Sequence, residues 1–301
     1  MLPEIRTPLI RLSNLFPTRG VYAKCEFAAP SGCFKIRGAT HLLKHLSTTS
    51  HTRQLVVPSM GNTAIGAAVG AREFGFSMVG VVPETISPAK DAKLQALGVQ
   101  LIKIAGGGSD LLRRATQEAA ERGAYSVHPH LDPLWTDGYQ AIGAEILQAL
   151  PDCRSLVFPV GGGGLLMGIT EFLLQHPGRV KLFGVEPYNY PKYAQFNHTR
   201  TRTIADGLIL EVPHPKVQDR IKATGISIHL VHDDEIRLVM KELFEKHALV
   251  VEPSSAITLA FVKAHQQELQ EPICVILTGE NIAREDFVRL ISDKPTQVPA
   301  L

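Results

Sequence analysis

Residues 54–83, QLVVPSMGNTAIGAAVGAREFGFSMVGVVP, hold the unit from which the fold is read. QLVVP (54–58) is a short, continuous apolar run, the pattern of a strand buried on both faces. NTAIGAAVGAREFG (62–75) reads as a helix that Gly75 ends. FSMVGVVP (76–83) returns to strand. Strand, helix and strand in one short span predict a crossover unit with parallel strands.

The alternation continues outward from there. SPAKDAKLQALG (87–98) predicts a helix with Ser87 as N-cap, Pro88 in the first turn and Gly98 at the end. VQLIKI (99–104) is strand-like, SDLLRRATQEAAERG (109–123) helical and AYSV (124–127) strand-like. In the second half SLVFPV (155–160), VKLFGVE (180–186), SIHLV (227–231) and ICVILTG (273–279) read as strands. LLMGITEFLLQH (165–176), DDEIRLVMKELFEKH (233–247), with Asp233 near its start, and SAITLAFVKAHQQEL (255–269) read as helices. The stretch 190–225, rich in Pro, Asn and Thr, is the least regular. The fold class expected is α/β, with two open parallel-sheet regions and helices on both faces.

Composition narrows the function classes. The 301 residues are 45% hydrophobic and 20% charged, as in an ordinary globular protein. A formal charge of +2 gives no argument for nucleic acid or an anionic membrane as partner. No apolar run approaches the roughly 20 residues of a spanning helix. The start, MLPEIRTPLIRL, carries Glu4, Arg6 and Arg11 and lacks a signal-peptide core, so cytoplasm is expected. Cys25, Cys33, Cys153 and Cys274 form no C-x-x-C pair and have no histidine at zinc spacing, so they read as reduced core thiols. His128 and His130 in HPH lack a partner carboxylate pattern, and no metal is expected.

Open parallel sheets bind ligands beyond the carboxyl ends of their strands. After SLVFPV come Gly161, Gly162, Gly163 and Gly164 and then a helix, where a bare backbone and free N–H groups suit a phosphate. The run matches neither dinucleotide nor P-loop fingerprints. After QLVVP come Ser59, Met60, Gly61, Asn62 and Thr63, either a nest for a carboxylate or plain helix capping by Ser59 or Asn62. After ICVIL come Thr278, Gly279, Glu280 and Asn281, which alone would be an ordinary turn. Lys35 in CFKIRG (33–38) is, by itself, a lysine whose stem lies on the surface with its charge in water.

Six motifs in order change that reading. EFAAPSGCFKIRGA (26–39), PSMGNTAIG (58–66), PVGGGGLLMG (159–168), TIADGL (203–208), VVEPSSA (250–256) and ILTGEN (276–281) together resemble the pyridoxal-phosphate enzymes of the tryptophan-synthase-β fold type. That group includes serine and threonine dehydratases, serine racemase, cysteine synthase and threonine synthase, and the resemblance runs from about residue 7 to 281. It implies pyridoxal 5'-phosphate in a cleft between two domains. Residues 1–52 and 135–301 would form the large cofactor-binding domain, and 53–134 the small one with the substrate-carboxylate loop. Lys35 matches the family's Schiff-base lysine with Phe34 beside it, and Gly161 to Gly164 match the phosphate loop. Asn62 matches the residue that bonds the ring hydroxyl, Ser59 to Thr63 the carboxylate loop, and Thr278 the hydroxyl facing the pyridine nitrogen. A neutral hydroxyl there leaves the ring uncharged, which favours loss of a β-substituent over transamination.

Within the family, TIADGL, HPHLDPLWTDG and the long stretch from Val231 to Ala256 are similar to the dehydratase and racemase branch. The implied reaction is elimination of water from threonine or serine, giving a 2-oxo acid and ammonia. The alternatives are β-replacement or a threonine-synthase-like reaction, and a non-catalytic module holding a phosphate ligand. Thr63 stands where the dehydratases usually carry histidine, and Glu280 replaces a glycine. Met60 replaces the serine that moves a proton in serine racemase, so poor racemisation is expected. Glu186 matches a family metal ligand, but Lys192 stands at the second ligand position, so no magnesium requirement is expected and a pairing with Glu186 is the alternative. Glu252 matches a family glutamate near the ring. A homodimer is usual in this family, and no appended regulatory domain is expected.

Overall fold

In the computed structural model, which describes residues 5–176, 180–194, 200–209 and 213–292, regular structure begins with β1 (Leu9–Arg11), β2 (Val21–Cys25) and a first helix α1 (Lys35–Thr49). The alternation follows as β3 (Gln54–Pro58), α2 (Asn62–Phe74), β4 (Ser77–Pro83), α3 (Pro88–Ala96), β5 (Gln100–Ile104), α4 (Gly108–Arg122) and β6 (Tyr125–Ser126). A short turn of helix, α5 (Pro133–Thr136), and α6 (Gln140–Ala149) lead to β7 (Ser155–Pro159), α7 (Gly164–Gln175) and β8 (Lys181–Pro187). Then come α8 (Pro215–Thr224), β9 (Ser227–Val231), α9 (Asp233–His247), α10 (Pro253–Ala264), β10 (Ile273–Leu277) and α11 (Arg284–Ser292). Among the described residues no helix is long and apolar enough to cross a membrane.

The helix ends obey local chemistry. Ser87 Oγ accepts the N–H of Lys90 and Pro88 starts α3, as its sequence predicts. Gly75 closes α2 in the left-handed region at φ 69°.

Two sheets result. The smaller has the order β5-β4-β3-β6, all parallel. The larger has the order β1-β2-β10-β7-β8-β9, parallel except where β1 pairs antiparallel with β2. That antiparallel edge is an addition to the parallel sheets the sequence leads one to expect. Its cause is the short link between the two strands, which has no room for a crossover helix.

Both faces of each sheet are covered, and the strands show it residue by residue. On β7, Leu156 and Phe158 join one apolar core while Val157 joins another. On β3, Leu55 and Val57 face the first core and Val56 faces Leu111, Ala115 and Ala119 of α4. Each such fully buried aliphatic contributes roughly 1.5–3 kcal/mol. Helices α1 and α2 come together through glycines: a methyl on Gly66 would lie 2.8 Å from the backbone carbon of Lys35.

The stretch 190–225, expected to be the least regular, holds no strand among its described residues, and α8 occupies its end, started by Pro215 and closed by Gly225. Residues 195–199 and 210–212 of it lie outside the described residues. The helix expected over 255–269 stops at Ala264, where His265 caps it and a turn follows. The strand expected over 124–127 shrinks to Tyr125–Ser126.

Strand order fixes where a ligand can sit. In the smaller sheet the order reverses at β3, with β4 and β6 on opposite sides of it. In the larger it reverses at β7, with β8 and β10 on opposite sides. Crevices open beyond the carboxyl ends of strands at such points. The turns after β3, β7 and β10 are 59–61, 160–163 and 278–283.

Candidate active site

Those turns meet. They line one cavity of about 370 Å³, together with Phe34, Lys35, Lys90, His128, His130, His214, Glu252 and Ser254. Every site residue that the sequence singles out, Phe34, Lys35, Ser59 to Thr63, Gly161 to Gly164 and Thr278, lies on its wall.

Lys35 opens α1, held in place from two sides. The N–H of Phe34 donates to the Thr278 carbonyl at 3.0 Å, and Cys33 bridges to Gly279, which ties the start of α1 to the end of β10. Nζ lies 4.6 Å from the centre of the Phe34 ring and 6.0 Å from that of Tyr139. It makes no hydrogen bond or ion pair with any described residue. Burial pushes its pKa down to about 8, against the opposing pull of Cys33 and Glu252. Near neutral pH a far larger share of it is therefore free amine than in an ordinary lysine.

The glycine run does two jobs. Gly162 carries no side chain because one would collide with the His130 ring, at 2.2 Å, and Gly163 sits at φ +89° against Val217. The loop is thereby wedged between neighbours, not free. The N–H groups of Gly161, Gly162 and Gly163 make no hydrogen bond among the described residues, and they adjoin the N-terminus of α7. Three free donors at the positive end of a helix form an anion cradle.

The turn after β3 is a second one. Ser59 Oγ accepts from the N–H groups of Gly61 and Ala64, at 2.9 and 3.0 Å, so its capping role is real. The N–H groups of Met60, Asn62 and Thr63 are left without partners among the described residues. Gly61 adopts φ +150° with the Lys90 stem packed where its side chain would be. Asn62 is fixed at both ends of its amide: Nδ2 donates to Glu252 Oε1 at 2.7 Å, and Oδ1 accepts from Asn281 Nδ2 at 3.0 Å. One Nδ2 hydrogen remains for a ligand. Glu252 is buried, which raises its pKa, and its Oε2 has no partner among the described residues.

Some of the wall was not foreseen as functional. Lys90 Nζ donates to Asp206 Oδ2 at 2.6 Å, an ion pair that joins α3 to the TIADGL segment across the cavity. His128, His130 and His214 each bury an Nδ1 without a partner among the described residues. Burial, and then the charge of Lys35, press His130 well below the ordinary imidazole value. The rings of His128 and His130 stand 6.2 Å apart, and these histidines do not converge as metal ligands would. Glu186 and Lys192 do pair, fully buried, at 3.3 Å, and Glu186 also accepts the N–H groups of Lys192, Tyr193 and Ala194. The four cysteines are free and buried.

Comparison with known proteins agrees with this geometry. The chain matches the family described as pyridoxal-phosphate dependent enzyme over residues 1–279. It is 31% identical over 287 residues to an L-threonine ammonia-lyase of Geobacter sulfurreducens, covering 92% of this chain and 71% of that one. It is 32% identical over 292 residues to the L-threonine dehydratase catabolic TdcB of Staphylococcus aureus, covering 92% and 84%. The processed form of threonine deaminase isoform 2 from Solanum lycopersicum superposes with a TM-score of 0.86 at 25% identity, covering 95% and 87%. Maize serine racemase, at 24% identity and a TM-score of 0.86 over 95% and 91%, shares the fold.

Proposed function

The chain belongs to the family of pyridoxal-phosphate dependent enzymes, and from that premise we propose that it removes water from a β-hydroxy amino acid, L-threonine or L-serine. The products are ammonia and the matching 2-oxo acid. The observation that carries this reading is the Lys35 amine, unpaired and with its pKa near 8, in one cavity with two anion cradles. The similarity to threonine ammonia-lyases supports the substrate class.

The residues present fit the cofactor. Gly161, Gly162 and Gly163 offer three unpaired N–H groups to its phosphate, the spare Asn62 amide hydrogen suits its ring hydroxyl, and the Thr278 hydroxyl suits its ring nitrogen. When bound, pyridoxal phosphate supplies an aldehyde for the amino group and an electron-withdrawing ring that acidifies Cα. The turn from Ser59 to Thr63 holds the substrate carboxylate on its free N–H groups. Lys35 Nζ takes the proton from Cα and returns it to the departing β-hydroxyl, which leaves as water. Wet and salt-exposed surroundings would weaken each of these contacts; the apolar wall of Phe34 and Leu165 keeps them strong.

The domain division at 53–134 belongs to the same proposal. All strands of the smaller sheet fall inside it, while α1 packs on α2 across it. A homodimer is the assembly the family resemblance leads us to expect, measurable by sedimentation. The deciding experiment is release of 2-oxo acid and ammonia from threonine and serine by the purified protein with added cofactor. Lys35→Ala should abolish both that release and the visible absorption band of the bound cofactor. Activity only in the presence of a second, nucleophilic substrate would overturn elimination in favour of β-replacement.

A further inference from the structure

Away from the cavity, His229, His265 and Glu268 come together at the outer edge of the larger sheet. One ligating atom from each lies within 4.8 Å of the others, and they are the one such group of three among the described residues. The geometry points to a binding site for a zinc-like transition-metal ion, held by two imidazoles and one carboxylate.

The three residues come from separate pieces of the fold. His229 lies on β9, the edge strand; His265 caps α10; Glu268 follows in the next turn, three residues on. His265 Nδ1 and Glu268 Oε1 are 2.8 Å apart. A tetrahedral site with bonds of about 2.0–2.2 Å spaces its ligand atoms about 3.4 Å apart. The His265–Glu268 pair is already closer than that and no pair of the three is farther apart than 4.8 Å, so small side-chain rotations complete it.

The imidazoles are held by packing. The Phe261 ring stacks on His265 with centroids 4.7 Å apart and meets His229 at 4.5 Å, so one aromatic side chain orients both. His229 Nε2 is buried without a hydrogen-bond partner among the described residues, an expense that a ligand would remove. Nitrogen donors with a single carboxylate select zinc, nickel, cobalt or copper over magnesium or calcium. Beside His265 and Glu268 a shallow surface pocket leaves room for water to complete the coordination.

Nearby charge is mostly spoken for. Arg19 pairs with Glu271 and Lys263 with Glu242. Lys181 acts on both His229 and Glu268 and opposes a cation; its Nζ lies over the Phe183 ring, 4.9 Å from the centre. The site is separate from the cleft. Glu252 and Ser254 stand at the other end of α10, roughly 18 Å away for a helix of 12 residues. A metal here would staple the edge strand to α10 without touching the chemistry.

Calorimetric titration of zinc chloride into the holoenzyme, with thermal unfolding alongside, tests this. One equivalent should bind with a dissociation constant in the micromolar range or below, and the melting temperature should rise with zinc. His265→Ala and Glu268→Gln should each weaken binding by on the order of tenfold or more and abolish the thermal rise. Unchanged oxo-acid release by both variants shows that they are folded. No binding in the micromolar range, or equal binding by the variants, would overturn the site.

Discussion

Replacing Gly66 by alanine should displace Lys35. The new methyl would lie 2.8 Å from both the backbone carbon and Cβ of Lys35 and 2.9 Å from the Ile36 nitrogen, where ordinary contact begins at 3.4 Å. None of these atoms can swing away, so α1 must retreat by about half an ångström. Such overpacking costs about 1–3 kcal/mol, and alanine returns up to about 1 kcal/mol of helix propensity. The net loss, about 0–2 kcal/mol, lowers the melting temperature by up to about 3 °C in a chain of 301 residues. Activity should suffer more, because misplacing a reacting group by about 1 Å costs on the order of a hundredfold; a ten- to hundredfold drop in kcat is expected, on the order set by that figure. Gly70→Ala, one turn along, is the control. Its methyl meets the tip of the flexible Leu43 side chain at 2.9 Å and Ala39 Cβ at 3.3 Å, so Leu43 can yield. That variant should keep full activity and near-native stability. Measuring oxo-acid release and thermal unfolding for both decides the matter: a fully active Gly66→Ala, or equal damage in the two, refutes the reasoning.

Two other perturbations probe buried charge. Lys35 has a native pKa near 8 against an ordinary 10.5, so between those values the unfolded chain binds more protons and the stability of the cofactor-free protein rises with pH. Lys35→Met lacks this titration; its advantage in melting temperature over the wild type should be largest below pH 8 and shrink towards 10.5, and a pH-independent difference would contradict the assignment. Lys192→Met removes one partner of a fully buried pair and leaves the Glu186 charge behind. Losing one member of such a pair costs about 3–5 kcal/mol, softened here by the three N–H donors on the carboxylate; urea unfolding with a change under about 1 kcal/mol would show the pair to be inconsequential.

Strong periodicity made the central units legible. β3, α2, β4 and α3 fall within a residue or two of their sequence bounds, because apolar runs and the Ser87 and Gly75 signals act locally. The antiparallel β1 and the helix α8 were not legible: the first depends on which strand lies beside β2, and the second starts behind Pro215 in a polar stretch with little apolar periodicity. At the site, glycines and small polar residues after strands marked the turns after β3, β7 and β10. The Lys90–Asp206 pair gave no signal, since its members stand 116 residues apart and nothing in either neighbourhood names the other. His229 and the pair His265 and Glu268 escaped for the same reason; only the 265–268 spacing is local.

The Lys90–Asp206 pair has a further consequence for traffic through the cleft. Asp206 is more than half exposed, at 54%, while Lys90 is buried. Water reaches the carboxylate of this fastening but not the ammonium, so parting it would leave the Lys90 charge without its partner in a dry interior. The Asn62–Glu252 contact below is likewise closed to solvent on its glutamate side. Both contacts are therefore fixed struts of the cleft, the first holding α3 to the TIADGL segment, and salt, which screens a partly buried pair much less than an exposed one, should leave the grip on small molecules nearly unchanged.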